Sequence, residues 1–162
     1  MKQFLLSSLC LMSVAGLTQN VSSEITSRKA FASGPSVVGI FEGRGACQEL
    51  AKELGVSTSP ECFKTKWSLT LFQDPATLQP TAYVLEGSFY RANPRKGTWK
   101  IHKGTPYDPN VLVYQLENDN PGEPIFLLKG DDNVLFFLDK NKNLLVGNEL
   151  FSYTLNRVTR KN

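Results

Sequence analysis

One histidine, three cysteines and a few clustered carboxylates are the residues of this chain whose types and spacing could do chemistry. Nucleophilic catalysis needs a nucleophile and a base within hydrogen-bond reach. With one histidine, any Ser-His-Asp or Cys-His device has to be built on His102. His102 falls beside Lys100 and Lys103 on the polar phase of an alternating run, the pattern of a surface histidine. The sequence has no Gly-x-Ser-x-Gly elbow, and multi-histidine metal sites are excluded. Asp131-Asp132 is an acid pair on paper, but adjacent residues diverge, and Gly130-Asp-Asp-Asn133 reads as a hairpin turn. Asp139-Lys-Asn-Lys-Asn143 imitates the start of a calcium loop. Its sixth position is Leu144 where Gly is required, and its twelfth is Leu150 where Glu is required. These observations lead us to expect a non-enzyme with no catalytic residue, no cofactor and no metal site.

The cysteines point instead to a compartment. Lys2 is a short basic region, and 4–17 is almost all apolar or small, too short to span a bilayer comfortably. A polar stretch follows, with Val21 and Ser23 meeting the small-residue cleavage rule. This is the pattern of a secretory signal peptide over 1–23, with a second cleavage option at Ser13 and Ala15. Cys10 is preceded by Leu9 and lies inside the apolar run, so it reads as leader and not as a lipid attachment site. Export leaves Cys47 and Cys62, an even number in an oxidising compartment, where such a pair is usually a disulfide. Two buried free thiols and a two-thiolate metal site are the alternatives; the latter lacks further ligands. The expected product is an exported periplasmic or envelope protein, soluble, with no transmembrane segment once the leader is cleaved.

The elements that would position these residues follow from periodicity. Residues 24–35 carry Ser, Gly and Pro and read as a flexible lead-in; 36–162 reads as one domain. In 46–54, Cys47, Leu50, Ala51 and Leu54 follow the i, i+3, i+4, i+7 spacing of a helix face, and Gly55 can end the helix. A Cys47–Cys62 bond would pin that helix to the strand that follows. Elsewhere the alternation has period two: around Val38 to Gly43, Trp67 to Leu71, Tyr83 to Phe89 and Trp99 to Ile101, then 111–116, 125–129, 134–138, 144–146 and 150–157. Turn residues separate these runs, for example Asp74-Pro75, Asn93-Pro94 and Asn120-Pro121-Gly122. About nine short strands with tight turns predict an all-β fold, a small antiparallel up-and-down barrel with one short α-helix after the first strand.

With 41% hydrophobic and 20% charged residues the chain has material for a core, and a formal net charge of +3 makes no case for nucleic acid as a partner. Arg91, Arg95, Lys96, Lys100 and Lys103 form a basic stretch that reads as a solvated hairpin, with contact to anionic lipid headgroups or an acidic partner as the sharper option. Trp67, Tyr83 and Trp99 share the inward phase with aliphatics. They read as core, and they are also the candidate barrel-mouth ligand contacts.

Gly39-Ile-Phe-Glu-Gly43, the following Cys47, Trp67-Ser-Leu-Thr-Leu71, Gly97-Thr-Trp99 and Phe151-Ser-Tyr-Thr-Leu-Asn-Arg157 together resemble the NlpE-like family, in its N-terminal domain. The resemblance implies a lipocalin-like barrel in a Gram-negative envelope, without enzymatic activity, linked to copper resistance and envelope-stress response. An envelope protein or lipid component is the partner it implies. The chain departs from the family pattern in three ways. The Cys-x-x-Cys of the family is missing, because Leu50 follows Cys47 by three residues. No lipobox precedes Cys10, and methionine, the other soft copper ligand, occurs only at Met1 and Met12. The alternative reading is a lipocalin-like carrier with an apolar ligand or lipid inside the barrel.

Overall fold

A computed structural model of the protein describes residues 32–118 and 123–159. The expected signal peptide and residues 24–31 of the lead-in lie outside the described residues. The elements in chain order are β1 (Val37–Ala46), α1 (Cys47–Glu53), β2 (Lys64–Gln73), β3 (Pro80–Gly87), β4 (Arg95–Lys103), β5 (Leu112–Leu116), β6 (Ile125–Lys129), β7 (Val134–Leu138) and β8 (Thr154–Arg157). Each strand pairs antiparallel with the next, and β8 pairs with β1, so the sheet closes on itself as an up-and-down barrel. Among the described residues no helix is long and apolar enough to cross a membrane.

The period-two pattern builds this barrel directly. Successive side chains of a strand point to opposite faces, and the apolar phase of every strand turns inward. Phe41, Leu69, Leu71, Leu85, Leu116, Leu127, Leu135 and Leu155 are all buried in one cluster. The register carries that phase from strand to strand, with Phe41 opposite Leu69, Leu69 opposite Leu85, and Leu135 opposite Leu155. A slip of one residue in any pair would turn its apolar set to solvent.

One of the expected runs is not a strand and another is shortened. Residues 144–146 contribute only an isolated bridge between Leu138 and Leu144, and of 150–157 only Thr154–Arg157 is strand, which makes eight strands among the described residues. The turn chemistry accounts for both. Asp139 accepts hydrogen bonds from the backbone of Asn141 and Asn143, and Lys142 takes a positive φ of 64°. Asn148 likewise accepts from the backbone of Leu150 and Phe151. Side chains that satisfy local backbone compete with the ladder. Leu144, Val146 and Leu150 are left exposed, Val146 at 86%.

Helix α1 packs over one end of the barrel, called here the helix end, and buries Cys47, Leu50 and Ala51. At seven residues, with no side-chain cap at Ala46, it cannot stand by its own propensity. Three ties hold it. Cys47 is bonded to Cys62 with the Cα atoms 5.6 Å apart. The Gln48 side chain donates to the carbonyls of Ser59 and Pro60 in the connecting loop, at 2.7 and 3.0 Å. Leu50 joins the interior cluster.

Closure between the first and last strands is the other fastening. Three ladder pairs make it, Phe41 with Arg157, Glu42 with Asn156, and Gly43 with Leu155, and the Val158 N–H extends it by donating to the Ile40 carbonyl at 2.9 Å. A Cβ at Gly43 would overlap the Thr154 carbonyl oxygen, so a glycine there lets β8 lie close. A Cβ at Gly39 would overlap the Arg157 guanidinium. In the space these glycines leave, the guanidinium lies over the Phe41 ring, 4.8 Å from its centroid. It donates to the Val38 carbonyl at 2.7 Å and to the Asp132 carbonyl at 2.6 Å. One side chain therefore ties β8, the start of β1 and the β6–β7 turn.

Two outcomes follow from these fastenings. Reduction of the Cys47–Cys62 bond, or its removal as Cys47→Ser/Cys62→Ser, should lower unfolding free energy by about 3 kcal/mol or less, as expected for a 15-residue separation. Denaturant titration with and without reductant measures it, and the far-ultraviolet β signature should survive. Arg157→Ala should cost about 2–4 kcal/mol, because two hydrogen bonds from a charged donor and a cation–π contact go together. Arg157→Lys should recover only part of that, since an ammonium cannot serve both carbonyls and the ring in one plane. Equal stability of the Lys and Ala variants would show that the fork geometry contributes nothing.

Candidate functional site

The three aromatic residues singled out from sequence enter one interior but not one mouth. Trp67 is 3% exposed and lies towards the helix end, with its ring 5.5 Å from Phe89 and 5.2 Å from Phe137. Trp99 is equally buried and lies towards the opposite end. Its indole donates to the Phe72 carbonyl at 2.6 Å, and its ring meets Tyr114 at 4.9 Å. Tyr83 is fully buried between them, and its hydroxyl accepts from Arg95 Nε at 3.1 Å.

Both ends of the barrel are occupied by the chain's own side chains. At the helix end, Leu50 and Tyr153 join the buried cluster, with Phe89 and Tyr90 packed against it. Arg95 reaches across this end to the Glu123 carbonyl at 2.7 Å. Burial alone would push the Arg95 guanidinium pKa down, but hydrogen bonding to the Tyr83 and Tyr90 hydroxyls outweighs it, and the net shift is upward. Arg95 is therefore not part of a solvated basic hairpin; it is drawn inward by two phenols that the hydropathy pattern does not reveal. At the opposite end Arg157 lies over Phe41, and Lys129 pairs with Asp132 at 2.7 Å. Burial pushes the nearby Tyr114 hydroxyl up, against the opposing pull of Lys129 and Arg157.

The other candidate groups sit where local turn chemistry puts them. Asp131 accepts from the backbone of Asn133, and Asp132 is held by Lys129. His102 pairs with Val113 across β4 and β5, half-buried, and its Nε2 has no hydrogen-bond partner. Two further buried polar atoms lack partners, Trp67 Nε1 and Thr65 Oγ1, two residues apart on the inward face of β2. Both described cysteines are joined to each other, so neither offers a thiolate to a soft metal while oxidised. Among the described residues no group of three or more His, Cys, Asp and Glu is placed to hold a metal ion.

A concavity lies outside the barrel, on the wall made by β1, β2 and β3. It is a groove of about 670 Å³ whose floor is a set of cross-strand rows. The acidic row is Glu42, Ser68 and Glu86, adjacent in register across the three strands, with Ser68 Oγ donating to Glu42 Oε1 at 3.5 Å. Towards the end away from the helix comes an apolar row, Ile40, Thr70 and Val84, and beyond it Phe72. Towards the helix end, Lys66 and Arg91 supply positive charge. Ala32, from the segment before β1, also lines the groove. The groove offers two carboxylates, two cations, hydroxyls and an apolar floor.

Sequence reasoning passed over this groove, though a signal for it is present. Ile40, Phe72 and Val84 are large apolar residues on the outward phase of their strands, where solvation would favour polar ones. Comparison of the chain with protein-family models, with curated proteins and with solved structures gives no match.

Proposed function

We propose that this chain is a non-catalytic exported barrel that works by surface recognition of an envelope component, in the manner implied by its resemblance to the NlpE-like family. The observation that carries the reading is the division of labour in the barrel. Rings and aliphatics from all eight strands pack the interior, side chains latch both ends, and a groove opens on the outer wall. A lipocalin-like carrier needs an apolar space inside, and here Phe41, Trp67, Tyr83 and Trp99 occupy that position. The Cys47–Cys62 bond supports export, because disulfides persist in oxidising compartments. A link to copper resistance or envelope stress rests on the resemblance alone. It would have to operate through a partner and not through thiolate ligation by the oxidised pair.

Two measurements test the reading. A photoreactive residue in place of Thr70, expressed in a Gram-negative envelope, should give a discrete adduct with one envelope component, and the same group in place of Phe136, on another wall, should not. Native mass spectrometry of the exported protein should show the bare chain. A lipid bound one to one and no adduct from Thr70 would replace recognition with carriage.

A further inference from the structure

The rows of the β1–β3 groove repeat at a fixed interval. Lys66, Ser68, Thr70 and Phe72 line it from one strand, so each row lies two residues of β2 from the next, about 6.7 Å at the usual strand rise. The rows differ in character. Lys66 has Arg44 opposite it on β1, and Arg91 lines the same end. Glu42 and Glu86 flank Ser68, and Ile40 and Val84 flank Thr70. Ile40 is floor, 6% exposed, while Thr70, Val84 and Phe72 stay partly open. Lys96, opposite Val84 on β4, is exposed beside the apolar row and does not line the groove.

We propose that the groove takes an extended polypeptide segment of an envelope protein, whose side chains on one face read acidic, basic, apolar, apolar at every second residue from the helix end. The period supports this class of ligand. An extended chain puts side chains i, i+2, i+4 and i+6 on one face at the same interval as the rows, so a segment laid along β2 keeps step with them. The acidic side chain meets Lys66 and Arg91, the basic one meets Glu42 and Glu86, and the apolar ones meet Thr70, Val84 and Phe72. A slip of one residue would turn the charges away from the wall. A basic residue in the first apolar place would face Lys96. A zwitterionic phospholipid carries its cation outermost and its phosphate next to the acyl chains, the opposite order to the one the rows complement. The backbone of the segment also finds a partner: Ser88 Oγ accepts from the Lys66 N–H at 2.9 Å and keeps its own proton to donate to a carbonyl. This deepens the recognition reading and rests on it, naming the envelope component as a protein and the part that binds as an extended strand of alternating type.

The test uses the exported full chain, isotopically labelled for amide spectra, and three capped peptides of one composition. Glu-Ser-Lys-Ser-Leu-Ser-Phe keeps the period, Lys-Ser-Glu-Ser-Leu-Ser-Phe exchanges the charges, and Glu-Lys-Leu-Phe-Ser-Ser-Ser breaks the period. Each is made in both chain senses, since either sense presents the same order of side chains. The first peptide should shift the amide signals of Ser68, Thr70 and Val84. It should bind about fivefold more tightly than the second, the size expected for exposed charge contacts. The third should bind no better than the second. In the Glu42→Gln/Glu86→Gln variant the preference for the first over the second should narrow to about twofold, and added salt should narrow it in the wild type. Equal affinities for the three peptides, or no shift at the groove with any of them, overturn the inference. So does an adduct from a photoreactive residue at Thr70 to the same chain that the first peptide fails to displace. If that residue captures a lipid or glycan in the envelope and no peptide binds, recognition stands and the peptide inference falls. If the peptides bind in the expected order but nothing in the envelope is captured, the recognition reading falls and the strand preference of the groove remains.

Discussion

The fold depends on a single seam. Seven of the eight antiparallel pairings join strands that are neighbours in sequence, and such pairs find each other through short connections. The eighth joins the first strand to the last, across the whole length of the domain, with three ladder pairs and the bond from Val158 to Ile40 beyond them. Nothing in a run of hairpins forces that contact. It forms because β1 presents Gly39 and Gly43 on its inner face, so that β8 and the Arg157 guanidinium can come close, and because Phe41 between them offers a ring to the cation. Without the seam, β1 and β8 would each expose an edge of unpaired backbone donors and acceptors, a template for aggregation. With it, the sheet has no edge and every strand faces one enclosed interior.

Closure decides where binding can happen. An interior packed from all eight strands with aromatic rings at both ends leaves little that a ligand could displace without breaking rings apart. Near the helix end, Thr65 Oγ1 and Trp67 Nε1 are buried without partners, as His102 Nε2 is on β4. An unmet buried donor typically costs about 1–3 kcal/mol. The neighbouring fastenings, Leu50, the disulfide and the Gln48 bonds, help that end hold together despite this cost. The helix is thus a lid kept in place by tertiary ties, and it owes little to helix propensity. Recognition on the outer wall asks none of these ties to open, so the surface is offered preformed, which limits the ordering cost of binding.

Most of the architecture was legible because it is written in alternation. The runs around Trp67, Tyr83, Trp99 and Leu135 carry their apolar residues on one phase, and β-strand formation follows from that alone. The helix after β1 was readable from Cys47, Leu50 and Ala51, and the disulfide from the even count left once the expected leader is set aside. Residues 144–146 and 150–153 were misleading because their apolar side chains imitate strands while Asp139 and Asn148 spend the backbone donors in turns. Arg95 was misleading for a different reason. A cation in a Pro/Gly loop looks solvated unless one knows that two phenols, Tyr83 and Tyr90, stand within its reach in three dimensions. The seam is legible in part: the closing Arg157 and the Gly39-x-Phe41 motif both stand in the sequence, but no local rule says that they touch.

The groove shows the same limit from the opposite side. Alternation assigns Ile40, Phe72 and Val84 to the solvent phase and stops there, since a strand's outward face has no sequence-level signal for what covers it. Only the register adds the information. Once Ser68 lies between Glu42 and Glu86, and Thr70 between Ile40 and Val84, isolated oddities become rows with a direction: positive, negative, apolar. A directional pattern on a rigid wall can distinguish a ligand from its reverse, which a uniform apolar patch cannot do. The direction of these rows is therefore a property of strand pairing. Because β1 belongs both to this wall and to the seam, a change at Phe41 or Arg157 that shifted β1 by one residue would also turn Phe41 and its flanking glycines into the groove in place of Ile40 and Glu42. The seam that closes the barrel and the surface that could recognise a partner are held in register by the same strand.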